Sequence, residues 1–412
     1  MPVGAPPIRD GALAIADGRI EAVGPASEVL GARANRPRIE LPACIAIPGL
    51  VNAHTHLCHD ELAPVYAPFG EWIEAMADRV RRATADSIDG SRVADVVTRG
   101  AARMSAGGVT AVGDSGPFPE AALAIARAGL RGRFYLELFG PDPARAPAAL
   151  EAVARALDAA QRGLAGGGSV ALGLAPHAPY TVSAALLGDA ADWASQRGLP
   201  LAIHVAESRE EEAYFRAQGP LAERLARRGI VTPARSGPVD WLETGGALGR
   251  ELLLAHLTQA TPKDLARLAA VGRVSAVVCP TANVFLGHGP PPVAAMLDAR
   301  LPLALGTDGI ATNPRQDLFE EMRQLLMLAR PAHPISAARA LEVATRGGAV
   351  ALGLGARAGW LAPGMDADVT VIEPPRALDD PIDTVVLTTV REHVVLVAGG
   401  GHILHSTRGF PR

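Results

Sequence analysis

Two histidines one residue apart, His54 and His56, close the apolar run "PGLVNAHTH", where imidazoles are ordinarily avoided. Residues two apart on a strand share a face, so both rings can point the same way and chelate. Other apolar runs end in polar residues too: His177 in "GLAPHAPY", His204 with Glu207 in "HVAES", His256 in "LLLAHL" and Asp308 in "LALGTD". Three imidazoles plus a carboxylate form a nitrogen and oxygen donor set for one divalent cation, with room for a water that the ion acidifies. Zn²⁺ is the first choice, and Fe²⁺ accepts the same donors. Glu207, three residues beyond His204, sets a carboxylate beside such an ion without being a ligand, which suits proton shuttling. His256 and Asp308 can hold or deprotonate the water.

Each element has a plainer reading. A lone HxH among 11 histidines is weak evidence. "ESREEE" is equally an acidic first helical turn, and His177 can be a loop residue with its own hydrogen bonds. Convergence on strand ends decides for the metal. His59, His288, His333, His393, His402 and His405 share no such placement and receive no role.

The elements that must position these residues follow from the pattern between 45 and 330, where short apolar runs alternate with helical periodicity. Eight strands are read: "CIAIPGLVNAH", "VTAVGDS", "RFYLELF", "VALGLAPH", "LPLAIHVAE", "ELLLAHL", "VSAVVCP" and "LPLALGTD". Eight such units predict an α/β fold of the closed (β/α)8 TIM type, whose strand ends meet at one mouth. Short strands and turns at both chain ends predict a small β-sandwich domain. The expected division is 1–44 and 358–412 for the small domain and 45–357 for the barrel. Residues 231–250, rich in Pro and Gly, read as an inserted loop.

With a formal charge of −4 over 412 residues, the chain offers no basic footprint for nucleic acid or an anionic membrane, so a small-molecule partner is expected. No apolar run approaches the ~20 residues of a membrane helix, and a cytoplasmic location is expected. Three cysteines without a CxxC pair argue against a disulfide framework or a thiolate zinc site.

The segments "PGLVNAHTH", "GLAPHAPYTVS", "HVAES", "VVCPTANVFLG", "LALGTDGIATN", "LFEEMR" and "GWLAPGMDADVTVIE", in this order, resemble the amidohydrolase superfamily, in its branch of metal-dependent deaminases. The resemblance spans nearly the whole chain. It implies one metal held by His54, His56, His204 and Asp308, with Glu207, His256 and Asp308 catalytic. Binuclear members bridge two metals with a lysine on the fourth strand, and the one lysine here, Lys263, follows the sixth.

The implied reaction is hydrolytic deamination. Glu207 takes a proton from water and delivers it to a ring nitrogen, His256 and Asp308 stabilise the tetrahedral intermediate, and ammonia leaves. Glu71 and Trp72 in "FGEWIEAM" match a pair that reaches ribose and base in nucleoside-type members, although they can equally cap and pack a helix. His177 matches a substrate-contacting histidine.

"HVAES" and the 231–250 loop look most like aminodeoxyfutalosine deaminases. Deaminases of S-adenosylhomocysteine and methylthioadenosine follow closely. Guanine, cytosine, triazine or amide substrates are the alternative, and a non-catalytic barrel scaffold is a second. Family habit implies a homodimer.

Overall fold

The computed structural model describes residues 3–31, 35–85, 91–165, 169–230, 237–330 and 334–409. Its centre is one sheet of eight parallel strands in chain order: β4 (Leu50–Thr55), β5 (Val109–Gly116), β6 (Arg131–Leu138), β7 (Val170–Pro176), β8 (Leu201–Val205), β9 (Leu252–His256), β10 (Val274–Val278) and β11 (Leu303–Leu305). Helices follow the strands and cover the outside, so these strands are buried on both faces and read as continuous apolar runs rather than alternating ones. The expected (β/α)8 barrel is present.

Closure takes place between the first and last strands. The His54 carbonyl accepts the N–H groups of Thr307 and Asp308, each at 3.1 Å. The Asn52 side chain adds two bonds to Thr307, from its Nδ2 to the hydroxyl at 2.7 Å and from the Thr307 N–H to its Oδ1 at 3.1 Å. Gly306 lets the strands approach this closely, since a Cβ there would lie 2.8 Å from both the Cβ and the carbonyl oxygen of His54.

The two chain ends build the small domain. β1 (Gly11–Ala16) and β2 (Arg19–Pro25) form a hairpin, while β3 (Ile45–Pro48), β12 (Val369–Ile372), β13 (Val394–Gly399) and β14 (His402–Ser406) form an antiparallel sheet in the order β14-β13-β12-β3. Ile20 of the hairpin packs on Val369, Val371, Leu396 and Ala398 of the sheet. Backbone bonds from Ile20 to Met365 and from Ala367 to Gly18 stitch the ends together.

Two details differ from the sequence reading. The run expected as one strand, Cys44 to His54, divides at Gly49. Ile45–Pro48 pairs with β12, whereas Leu50 onward pairs with β5. A Cβ on Gly49 would come within 2.1 Å of the Thr110 hydroxyl, so the crossing from one sheet to the other needs glycine. Within 231–250, residues Pro238–Thr244 are helical rather than loop, with Asp240 accepting the Gly237 N–H; 231–236 lie outside the described residues. Among the described residues no helix is long and apolar enough to cross a membrane.

Candidate metal centre and catalytic pocket

The end of β4 places His54 and His56 in the barrel mouth, and the end of β8 brings His204 to them. One ring nitrogen from each falls within 4.8 Å of the others, and all three side chains are buried. Asp308, just past β11, directs Oδ1 at the same point, 3.7 Å from His54 Nε2 and 3.4 Å from His56 Nε2.

Hydrogen bonds on the far side of each ring fix which nitrogen faces inward. His56 Nδ1 lies 2.9 Å from the Ser115 carbonyl and His204 Nδ1 lies 2.9 Å from that of His177. A carbonyl only accepts, so each Nδ1 carries the hydrogen and each Nε2 presents a lone pair. Those lone pairs face each other at 3.3 Å. His54 Nε2 is buried with no hydrogen-bond partner among the described residues.

Facing lone pairs and an orphaned buried nitrogen beside a carboxylate are costly alone and complementary to a cation. The residues present therefore fit a divalent metal. Burial, then the neighbouring imidazoles His204, His56 and His256, drives His54 well below the usual histidine range. Burial and then His56 lower His204 to about 4. Both rings are thus neutral near pH 7, as ligation requires.

The candidate acid and base groups are Glu207, just past β8, and His256, the last residue of β9. His256 Nδ1 is 2.9 Å from Asn283 Oδ1, and its Nε2 is 3.7 Å from Glu207 Oε1. Burial alone would push the Glu207 carboxyl up, but His256, His288 and His204 outweigh it and hold the carboxyl below its ordinary range. The Thr312 hydroxyl donates to Asp308 Oδ2 at 2.8 Å, leaving Oδ1 for the centre.

The backbone here is bent sharply. Ala206, His256, Leu257 and Asp308 have φ of 52°, 74°, 51° and 59°, a left-handed conformation uncommon outside glycine. Such strain persists where surrounding contacts over-determine it, as at functional sites.

His177 contributes mainly its carbonyl, which also accepts the His204 N–H at 3.0 Å. Its ring lies 4.8 Å from those of His204 and Phe139. In the helix Phe69–Ala85, Glu71 is exposed, and Trp72 stacks on Phe69 with its Nε1 buried and unpaired among the described residues. The described contacts tie this helix to the pocket through Phe69, not through Glu71.

Several residues without an expected role belong to the site. His288 places Nε2 3.4 Å from Glu207 Oε1. His59 stacks on His56 at 5.0 Å, and the Tyr180 hydroxyl faces Glu207. Glu211, within the acidic "ESREEE", is fully buried, and its two oxygens accept the N–H groups of Ala206 and Glu207 at 2.8 Å each. It pins the peptide that carries the candidate acid. The Ser208 cap three residues before Glu211 is the local signal that could have found it.

The amidohydrolase family profile matches residues 45–404. The chain belongs to the amidohydrolase family. Within it, a 5-methylthioadenosine/S-adenosylhomocysteine deaminase of Nitratidesulfovibrio vulgaris (strain DP4) is 32% identical over 97% of this chain and 88% of its own length. A protein of the same name from Moorella thermoacetica is 32% identical over 90% and 83%. An adenosine deaminase structure from Xanthomonas campestris with bound zinc superposes at a TM-score of 0.79, with 29% identity, covering 97% of this chain and 89% of that one.

Proposed function

We propose that this family member is a mononuclear, metal-dependent deaminase that releases ammonia from an adenosine-like nucleoside. His54, His56, His204 and Asp308 would hold the ion, and zinc is favoured because the adenosine deaminase of similar fold carries it. The ion supplies Lewis acidity that makes water nucleophilic near neutral pH.

This chain's residues supply the rest. Asp308 Oδ1 and His256 Nε2 orient the water, with Thr312 and Asn283 fixing those two groups. Glu207 Oε1 accepts a proton from the water and returns it to the ring nitrogen beside the attacked amidine carbon. The C–N bond to the exocyclic amine then breaks and ammonia departs with a proton, leaving a ring carbonyl. The observation that carries this reading is the placement of Glu207 3.7 Å from His256, beside the histidine cluster.

Methylthioadenosine and S-adenosylhomocysteine are supported by the names of relatives at 32% identity. Aminodeoxyfutalosine stays beside them on the "HVAES" resemblance. Its structural relative, Helicobacter pylori aminofutalosine deaminase, is 20% identical and shares the fold. Glu71 and Trp72 are assigned to substrate contact on the resemblance of "FGEWIEAM" to nucleoside-type members, and His177 on that of "APHAPY".

The reading also takes the protein as a cytoplasmic homodimer, in keeping with three free cysteines. It divides the chain near 1–44, 45–357 and 358–412.

The test is ammonia release from aminodeoxyfutalosine, S-adenosylhomocysteine, methylthioadenosine, adenosine, guanine and cytosine, run side by side with a triazine and an acyl amide. Turnover of an adenosine-like compound is expected. Turnover of only the triazine or amide, or of none with metal bound, would reject the reading.

A further inference from the structure

We propose that His288 is a positioning residue for Glu207, holding its carboxylate on the substrate side of the pocket; this rests on the deaminase reading above. His288 follows the helix Pro280–Phe285 and is flanked by Gly287 and Gly289, with φ of 75° and 82°. Its main chain is anchored twice. Its N–H donates to the Asn283 carbonyl at 2.9 Å, and its carbonyl accepts Gln259 Nε2 at 2.8 Å.

The side chain is 2% exposed, and its Nε2 has no formed hydrogen bond among the described residues. A histidine kept only for packing would satisfy that atom on a nearby carbonyl. Here it is aimed at Glu207 Oε1, 3.4 Å away, a gap that a small carboxylate rotation closes. Phe69 meets the ring edge to face at 4.5 Å.

The same oxygen has a second imidazole beside it. His256 Nε2 is 3.7 Å from Oε1, and the His256 ring lies 5.6 Å from His54 and 5.5 Å from His204. One imidazole therefore faces the histidine cluster, and the other faces the helix that carries Trp72. Both imidazoles meet the same oxygen in a single orientation of the carboxylate, so His288 holds Oε1 where it can take a proton at the water and deliver it to a ring nitrogen.

The experiment is a double-mutant cycle of E207Q and H288A, with H288Q as the conservative variant, on whichever nucleoside the wild type deaminates. H288A should lower kcat on the order of 10- to 100-fold through misplaced geometry, with KM nearly constant and metal content unchanged. H288Q should recover part of the loss through its amide N–H. Because His288 acts through Glu207, H288A should add nothing to E207Q. Multiplicative losses, or a loss confined to KM, would make His288 an independent substrate contact and overturn the proposal.

A second arm needs no substrate: the same cycle read by urea unfolding midpoints of the metal-loaded protein. Coupled midpoints are expected from the contact. Additive midpoints reject the proposal even where deamination is found. Coupled midpoints without any nucleoside turnover reject the deaminase reading instead and leave the contact standing.

Discussion

His256 Nδ1 and Asn283 Oδ1 are 2.9 Å apart, both fully buried, and this bond sets the proton pattern of an imidazole beside Glu207. Amide oxygens accept, so the hydrogen stays on Nδ1 and Nε2 presents a lone pair toward Glu207 and the histidine cluster. Replacing Asn283 with Ala frees the ring to adopt the other tautomer. N283A should lower kcat about 10- to 100-fold, the usual effect of losing such an orienting partner, while metal analysis shows full occupancy. Loss of metal with activity would instead place Asn283 in the ion's support.

Glu207→Gln keeps shape and hydrogen bonding but cannot carry the proton. Its activity should fall by about 10²- to 10⁴-fold with the metal content of the wild type. An ammonia assay beside elemental analysis checks this, and a fully active variant would remove the proposed shuttle.

His54 has the orphaned inward nitrogen, so His54→Ala should cost stoichiometric metal where E207Q does not. Chelation of the wild type should lower its thermal midpoint, since an ion at 100 times its Kd stabilises by about 2.7 kcal/mol. Chelator should then have little effect on the melting of H54A.

Glu321 offers a pH test away from the ligands. Its buried carboxyl accepts Asn313 Nδ2 at 2.8 Å and the Thr281 N–H at 3.2 Å, and burial outweighs both donors to push its pKa up from 4.5 to about 7. A folded-state pKa above the unfolded one stabilises fully below about pH 4.5, and that contribution is lost as pH rises to about 7. The wild type should therefore lose stability relative to E321Q across this window, read as the difference in urea midpoints. A constant difference would show that Glu321 titrates normally.

Gly306→Ala inserts a methyl 2.8 Å from His54. Overpacking of this kind costs about 1–3 kcal/mol, and because His54 is the neighbour, weaker metal retention should accompany the lower stability. Retained affinity at lower stability would separate the seam from the site.

The sequence made His54, His56, His204, His256 and Asp308 legible because strand periodicity and a shared barrel mouth constrain them together. The residues that orient them were not. Ser115 and Asn283 act through contacts between segments far apart in the chain, and Thr312, four residues from Asp308, reaches it through a turn whose geometry the residue types do not announce. Glu211 went unremarked within the acidic "ESREEE" because burial is a tertiary property. The division at Gly49 was hidden by two strands of different sheets that are equally apolar and separated by one residue.

The seam between β4 and β11 has a consequence for biosynthesis. The first two candidate ligands leave the ribosome early and Asp308 late, and the His54 carbonyl that receives Thr307 and Asp308 belongs to one of those early residues. The three histidines are all present once β8 is made, but the fourth donor arrives only when the segment after β11 docks against β4, with β12–β14 still to follow.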